Sequence, residues 1–189
     1  MERRELTTAV AEVAYLRGLI AVPIGVLFLL TGLGNLGWAP LQSPWVFGGC
    51  LALLAWRLQA YYNDTFGRAT QSRQMQVRYA VVTGLLALTL VAGSFLDFEL
   101  GLPVSLFAAS FAVAMLIMFA VQTGLRQHHV LVWGALLVVA LVPFWDVFDD
   151  AVSVAWLPIG VATIVAGLLD HRLLTARHGA RPVLDRQSA

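Results

Sequence analysis

Six apolar segments, each long enough to cross a lipid bilayer as a helix, account for most of this chain. They cover approximately residues 15–37, 45–63, 78–96, 103–125, 130–148 and 152–173. The hydrocarbon core of a bilayer requires about 20 mostly apolar residues in a helix that rises about 1.5 Å per residue. The sequence therefore predicts an all-α fold, with a single six-helix transmembrane domain over residues 1–173 and a flexible cytoplasmic tail over residues 174–189.

The composition supports an integral membrane protein. Of the 189 residues, 59% are hydrophobic and 12% are charged, whereas soluble domains average about 45–50% apolar and about 25% charged residues. This balance excludes a disordered chain and a nucleic-acid-binding domain with a basic face. Cys50 is the only cysteine, so an intramolecular disulfide and a thiolate metal cluster are excluded as well.

The charged residues are sorted by sign along the chain. All twelve basic residues are arginines, and they fall before the first segment, around the second and fourth breaks, and after the last segment. The third and fifth breaks carry only acids, which are Asp97, Glu99, Asp146, Asp149 and Asp150. Since positive residues stay on the cytoplasmic side, the sequence predicts a multi-pass protein of the cell inner (cytoplasmic) membrane, with both termini in the cytoplasm.

Glycines recur at seven-residue intervals in the first and last segments. Gly18, Gly25 and Gly32 form one stripe, and Gly160 and Gly167 form another. Small residues allow the backbones of membrane helices to approach closely. These stripes predict packing seams, which would join helices within the chain or join two copies in a homo-oligomer.

Arg57 lies within the second apolar segment, where a charge is costly. One interpretation is an arginine that extends to the cytoplasmic headgroups. The other is a buried ion pair with Asp170, which lies at a similar depth in the last segment.

Histidines are the candidate metal ligands. His128, His129 and His171 are all cytoplasmic in the predicted topology, and with Asp170 and Asp64 they offer nitrogen and oxygen ligands suited to zinc or iron. The adjacent His128 and His129 are expected to point in different directions on a helix. The alternative is that these histidines are ordinary polar residues at headgroup level. No motif in the sequence indicates a particular cofactor.

The segment from Tyr61 to Arg78 contains the longest cytoplasmic break and is locally aromatic and polar. It is interpreted either as an interfacial segment that meets anionic lipid or as a docking surface for a cytoplasmic partner. The candidate docking residues are Tyr61, Tyr62, Asp64, Phe66, Arg68 and Arg73.

The five outer acids form a second candidate site. Without a basic neighbour, they are expected to create a negative potential that attracts cations. The alternative is that they are solvated loop residues. Four tryptophans near the same side, Trp38, Trp45, Trp145 and Trp156, are typical of an aromatic belt at the membrane interface.

The sequence contains neither a phosphate-binding loop nor a GxSxG motif. The leading functional hypothesis is a non-enzymatic integral membrane protein that acts as a subunit or partner-binding module, with the lipid bilayer and a membrane or cytoplasmic protein as partners. One alternative is a small transporter or channel that binds a cation or an apolar solute between helices. The other is an intramembrane metalloenzyme that uses the histidines and Asp170.

Overall fold

The computed structural model of the protein describes residues 17–38, 44–66, 73–122 and 124–178. These residues form six α-helices and no strand, which confirms the all-α prediction. A 3-10 turn, Gly18–Ile20, precedes the first helix. The helices are α1 (Ala21–Asn35), α2 (Pro44–Phe66), α3 (Arg73–Leu100), α4 (Leu106–Gln122), α5 (Gln127–Leu141) and α6 (Ala151–His178).

Three of these segments are long and apolar enough to cross a membrane. They are Gly18–Asn35, Ala80–Leu100 and Ala151–Arg177. The apolar parts of α4 and α5, Leu106–Val121 and Gln127–Leu141, are shorter. The second half of α2 contains Arg57, Gln59 and Asn63, which make that helix less apolar. The protein is thus a helical protein with three candidate membrane spans among its described residues.

The glycine stripes bring α1 and α6 into backbone contact. A Cβ atom on Gly25 would lie 2.8 Å from the carbonyl oxygen of Gly160, and a Cβ atom on Gly160 would lie 2.7 Å from that of Gly25. Gly18 lies against Gly167, while Gly32 lies against Ser153, so the two helices run antiparallel. The predicted seams therefore pack the first helix against the last within one chain.

The hydrophobic core lies between α4, α5 and α6. Phe107, Phe111, Trp133 and Ile159 are all at most 5% exposed in it. Helix α3 packs on α4, where Gly93 lies against the hydroxyl of Ser110. The core is thus formed by the second half of the chain, and α6 contacts both this core and α1.

Candidate metal centre

Two imidazoles and one carboxylate converge where α5 begins and α6 approaches its end. The Nε2 atom of His128 lies 2.9 Å from Oδ1 of Asp170, and Nε2 of His129 lies 3.0 Å from the same oxygen. His129 and Asp170 are buried, and His128 is half-buried. The cluster thus connects α5 to α6 by short polar contacts at this end of the bundle.

The convergence of His128 and His129 corrects the expectation that adjacent histidines diverge. Successive helical residues point about 100° apart, and the Asp170 carboxylate lies between these two directions. The two imidazole centroids are 4.2 Å apart, with the rings inclined by 60°. His129 also stacks on Phe119 of α4 at a centroid distance of 3.7 Å. Packing from three helices therefore orients the pair.

The spacing of the ligand atoms fits a single metal ion. One ligand atom from each of His128, His129 and Asp170 lies within 4.8 Å of the other two. Zinc binds imidazole nitrogen and carboxylate oxygen at about 2.0–2.2 Å, which places neighbouring ligand atoms about 3–3.5 Å apart. Small side-chain rotations would let the three residues enclose an ion. Two imidazoles with one carboxylate suit zinc and ferrous iron.

His128 and His129 lie in the first turn of α5, and Asp170 contacts them from the last third of α6. A metal site built from these three residues requires the deprotonated carboxylate of Asp170 as its anionic ligand.

The structure separates His171 from these three residues. Its Nδ1 atom lies 2.9 Å from the hydroxyl of Tyr62, and the same hydroxyl accepts a hydrogen bond from the backbone N–H of Leu19 at 3.0 Å. His171 thus belongs to a second set of contacts, which joins the 3-10 turn before α1 to α2 and α6.

Arg17 and Asn63 complete this second set. The Nη1 atom of Arg17 donates to Oδ1 of Asn63 at 2.8 Å, and the guanidinium lies 6.0 Å from the Tyr62 ring centroid. Tyr62 is fully buried. We call Arg17, Tyr62, Asn63 and His171 the Tyr62 cluster. It holds the start of the first helix against the ends of α2 and α6.

Arg57, predicted to pair with Asp170, lies elsewhere. It is exposed on α2, and its guanidinium carbon lies 5.6 Å from the Trp56 ring centroid. Arg57 precedes Tyr62 by five residues, which places the two side chains about 140° apart around the helix. Because Tyr62 faces α6, Arg57 points away from it. The observed partners of Asp170 are the two histidines instead.

The residues of the predicted docking surface are divided by the fold. Tyr62 is buried and hydrogen-bonded within the bundle, and Phe66 is half-buried. The other three described residues, Tyr61 and Asp64 of α2 and Arg73 of α3, are exposed. Arg68 and the rest of residues 67–72 lie outside the described part of the chain.

The outer acids take two different roles. The Asp97 carboxylate accepts hydrogen bonds from the hydroxyl of Ser105 and the backbone N–H groups of Leu106 and Phe107, so it caps α4. Asp150 accepts from the N–H of Ser153 at 3.0 Å and caps α6 in the same way. Glu99, Asp146 and Asp149 are exposed. A cleft of about 330 Å³ lies among four of the acids, which are Asp97, Asp146, Asp149 and Asp150.

These features define a helical protein with three candidate membrane spans and a buried cluster of two histidines and one aspartate. Comparison with protein-family models, curated proteins and solved structures finds no match to this chain.

Proposed function

We propose that this chain is a multi-pass protein of the cytoplasmic membrane, in which all six helices cross the bilayer and both termini face the cytoplasm. The separation of charges supports this topology. Arg17, Arg126 and Arg172 flank the end of the bundle that holds the His–Asp cluster, whereas the capping acids Asp97 and Asp150 lie at the other end. Arginine is retained on the cytoplasmic side of a membrane.

Cysteine labelling in intact cells tests the proposed topology. In a Cys50→Ser background, we expect Asp146→Cys to react with a membrane-impermeant maleimide from outside the cytoplasmic membrane, because Asp146 is exposed in an outer loop. Asp64→Cys, also exposed, should react only after the membrane is permeabilised. Labelling of both positions from the same side would contradict the alternating topology.

We further propose that the protein binds a divalent transition metal through His128, His129 and Asp170. The observation that carries this proposal is the convergence of three ligand atoms within 4.8 Å in a largely buried position. Structural zinc sites are almost always closed by four protein ligands, whereas catalytic sites have three and keep a position open. Three ligands therefore favour an intramembrane metalloenzyme-type centre that accepts a further ligand.

This proposal replaces the subunit hypothesis as the leading interpretation. The glycine stripes pack α1 against α6 within the chain, and the Tyr62 hydroxyl forms its hydrogen bonds inside the bundle. Two features that favoured a partner-binding role thus have internal functions. A partner-binding role and a transport role both stay predictions.

Cobalt titration of the purified protein tests the metal site. We expect one Co²⁺ per chain, detected by visible absorption and displaced by Zn²⁺. Asp170→Asn keeps the size of the side chain but removes its charge and replaces one acceptor oxygen by an NH2 donor, and it should weaken cobalt binding by at least about 100-fold. Asp64→Asn makes the same chemical change at an exposed acid near the same end and should leave binding unchanged.

The alternative is a purely structural cluster, in which Asp170 only accepts hydrogen bonds from the histidines. In that case the wild-type protein would bind cobalt no better than Asp170→Asn. That result would refute the metal site.

A further inference from the structure

The 3-10 turn that precedes α1 lies directly against Asp170. A Cβ atom on Gly18 would lie 2.7 Å from the Cβ atom of Asp170, and it would overlap with the carbonyl oxygen of Gly167 three residues earlier on α6. Gly18 is buried, and Asp170 is only 5% exposed. Asp170 is thus enclosed between the backbone of this turn and the two histidines of α5.

This close approach requires a residue without a side chain at position 18. The backbones touch in both directions, since a Cβ atom on Gly167 would lie 2.5 Å from the carbonyl oxygen of Gly18. A side chain at position 18 could be accommodated only if Asp170 rotated or α6 shifted. Either movement would displace the carboxylate from His128 and His129, whose Nε2 atoms now lie 2.9 Å and 3.0 Å from it.

The hydroxyl of Tyr62 contacts both segments that meet at this point. It accepts a hydrogen bond at 3.0 Å from the backbone N–H of Leu19, the residue that follows Gly18. It also lies 2.9 Å from Nδ1 of His171, the residue that follows Asp170. Because Tyr62 is fully buried, one rigidly packed side chain fixes the turn relative to this part of α6.

We propose that Gly18 and Tyr62 are positioning residues of the metal site. Gly18 lets the turn lie against Asp170, and Tyr62 holds the turn there, so the carboxylate stays directed at the two histidines. This inference rests on the metal site proposed above and adds two residues that set its affinity. Residues that orient metal ligands change metal affinity by about 10- to 100-fold when they are replaced.

The first test compares cobalt binding by Gly18→Ala and Gly25→Ala. We expect Gly18→Ala to weaken binding by about 10- to 100-fold and to shift the visible bands, because the Asp170 oxygen no longer reaches the ion. Gly25→Ala is the matched control, since its new Cβ atom would lie 2.8 Å from the carbonyl oxygen of Gly160 in the same seam. Gly160 precedes Asp170 by ten residues, a rise of about 15 Å. The control should therefore lower stability but bind cobalt as the wild type does.

The second test decides the matter even if Gly18→Ala does not fold. Tyr62→Phe keeps the buried ring but removes both contacts of the hydroxyl, so it should weaken cobalt binding by about tenfold and speed the loss of cobalt to EDTA. Tyr61→Phe makes the same chemical change at a neighbouring side chain that is 43% exposed. This variant should match the wild type in both measurements.

The outcomes separate the two proposals. If the wild-type protein binds cobalt and Tyr62→Phe binds it equally well, the role of Tyr62 is refuted and the metal site stands. An equal loss of affinity in Gly18→Ala and Gly25→Ala would refute the role of Gly18, because overpacking anywhere in the seam would then have the same effect. If the wild-type protein binds no cobalt, both the metal site and its positioning residues are refuted.

Discussion

Gly160→Ala is expected to lower the free energy of unfolding by about 2 kcal/mol. The new Cβ atom would lie 2.7 Å from the carbonyl oxygen of Gly25 and 2.9 Å from the backbone nitrogen of Leu29, so α1 and α6 must move apart. Overpacking of this kind costs up to about 3 kcal/mol, while exchanging glycine for alanine within a helix returns about 1 kcal/mol. Reversible unfolding of the purified protein in mixed detergent micelles measures the difference.

Gly134→Ala is the matched control for this prediction. Gly134 lies within α5, and a Cβ atom there would have nothing within 4 Å. Only the higher helix propensity of alanine then affects the free energy of unfolding, so this variant should be as stable as the wild type or slightly more stable. Equal stability of the two alanine variants would show that the contact between α1 and α6 is not tightly packed.

The positions of the six helices were predictable because each one coincides with an apolar segment. The ends of the helices were less predictable, since hydropathy does not indicate where the backbone hydrogen bonds of a helix stop. The segment predicted over residues 130–148 forms a helix only to Leu141. Pro143 explains the difference, because a proline ring disfavours helical geometry for the residue before it. That residue, Val142, is extended, with ψ of 130°.

The candidate site was predictable in its residues but not in its partners. The cost of burying charge identified Asp170 and Arg57, and metal-ligand chemistry identified His128 and His129. Choosing the partner of Asp170 requires the rotation of each helix about its axis, which depends on packing between helices. Tyr62 faces α6 and thereby turns Arg57 away, whereas the first turn of α5 lies against the last third of α6.

Trp145 shows the same limit on sequence reasoning. Its position near the outer end of a segment is typical of an aromatic belt, yet the structure leaves it only 1% exposed. Its indole Nε1 donates to the carbonyl oxygen of Val139 at 3.0 Å, and its backbone nitrogen donates to that of Pro103 at 3.1 Å. Trp145 therefore fixes the turn between α5 and α6 against the start of α4.

Trp145→Ala is accordingly expected to be more destabilising than Gly160→Ala, with a loss of about 3–5 kcal/mol in the free energy of unfolding. Removal of the indole leaves a cavity beside Phe148 and Phe144, whose rings now pack on it at centroid distances of 6.2 Å and 5.0 Å. The same unfolding measurement in mixed micelles applies.

Trp145→Phe keeps an aromatic ring but loses the hydrogen bond to Val139, so it should cost less than the alanine variant. Trp38→Ala, at a tryptophan that is 63% exposed, should change stability by no more than about 0.5 kcal/mol. A similar small effect at Trp145 would mean that this side chain lies in the interfacial belt after all.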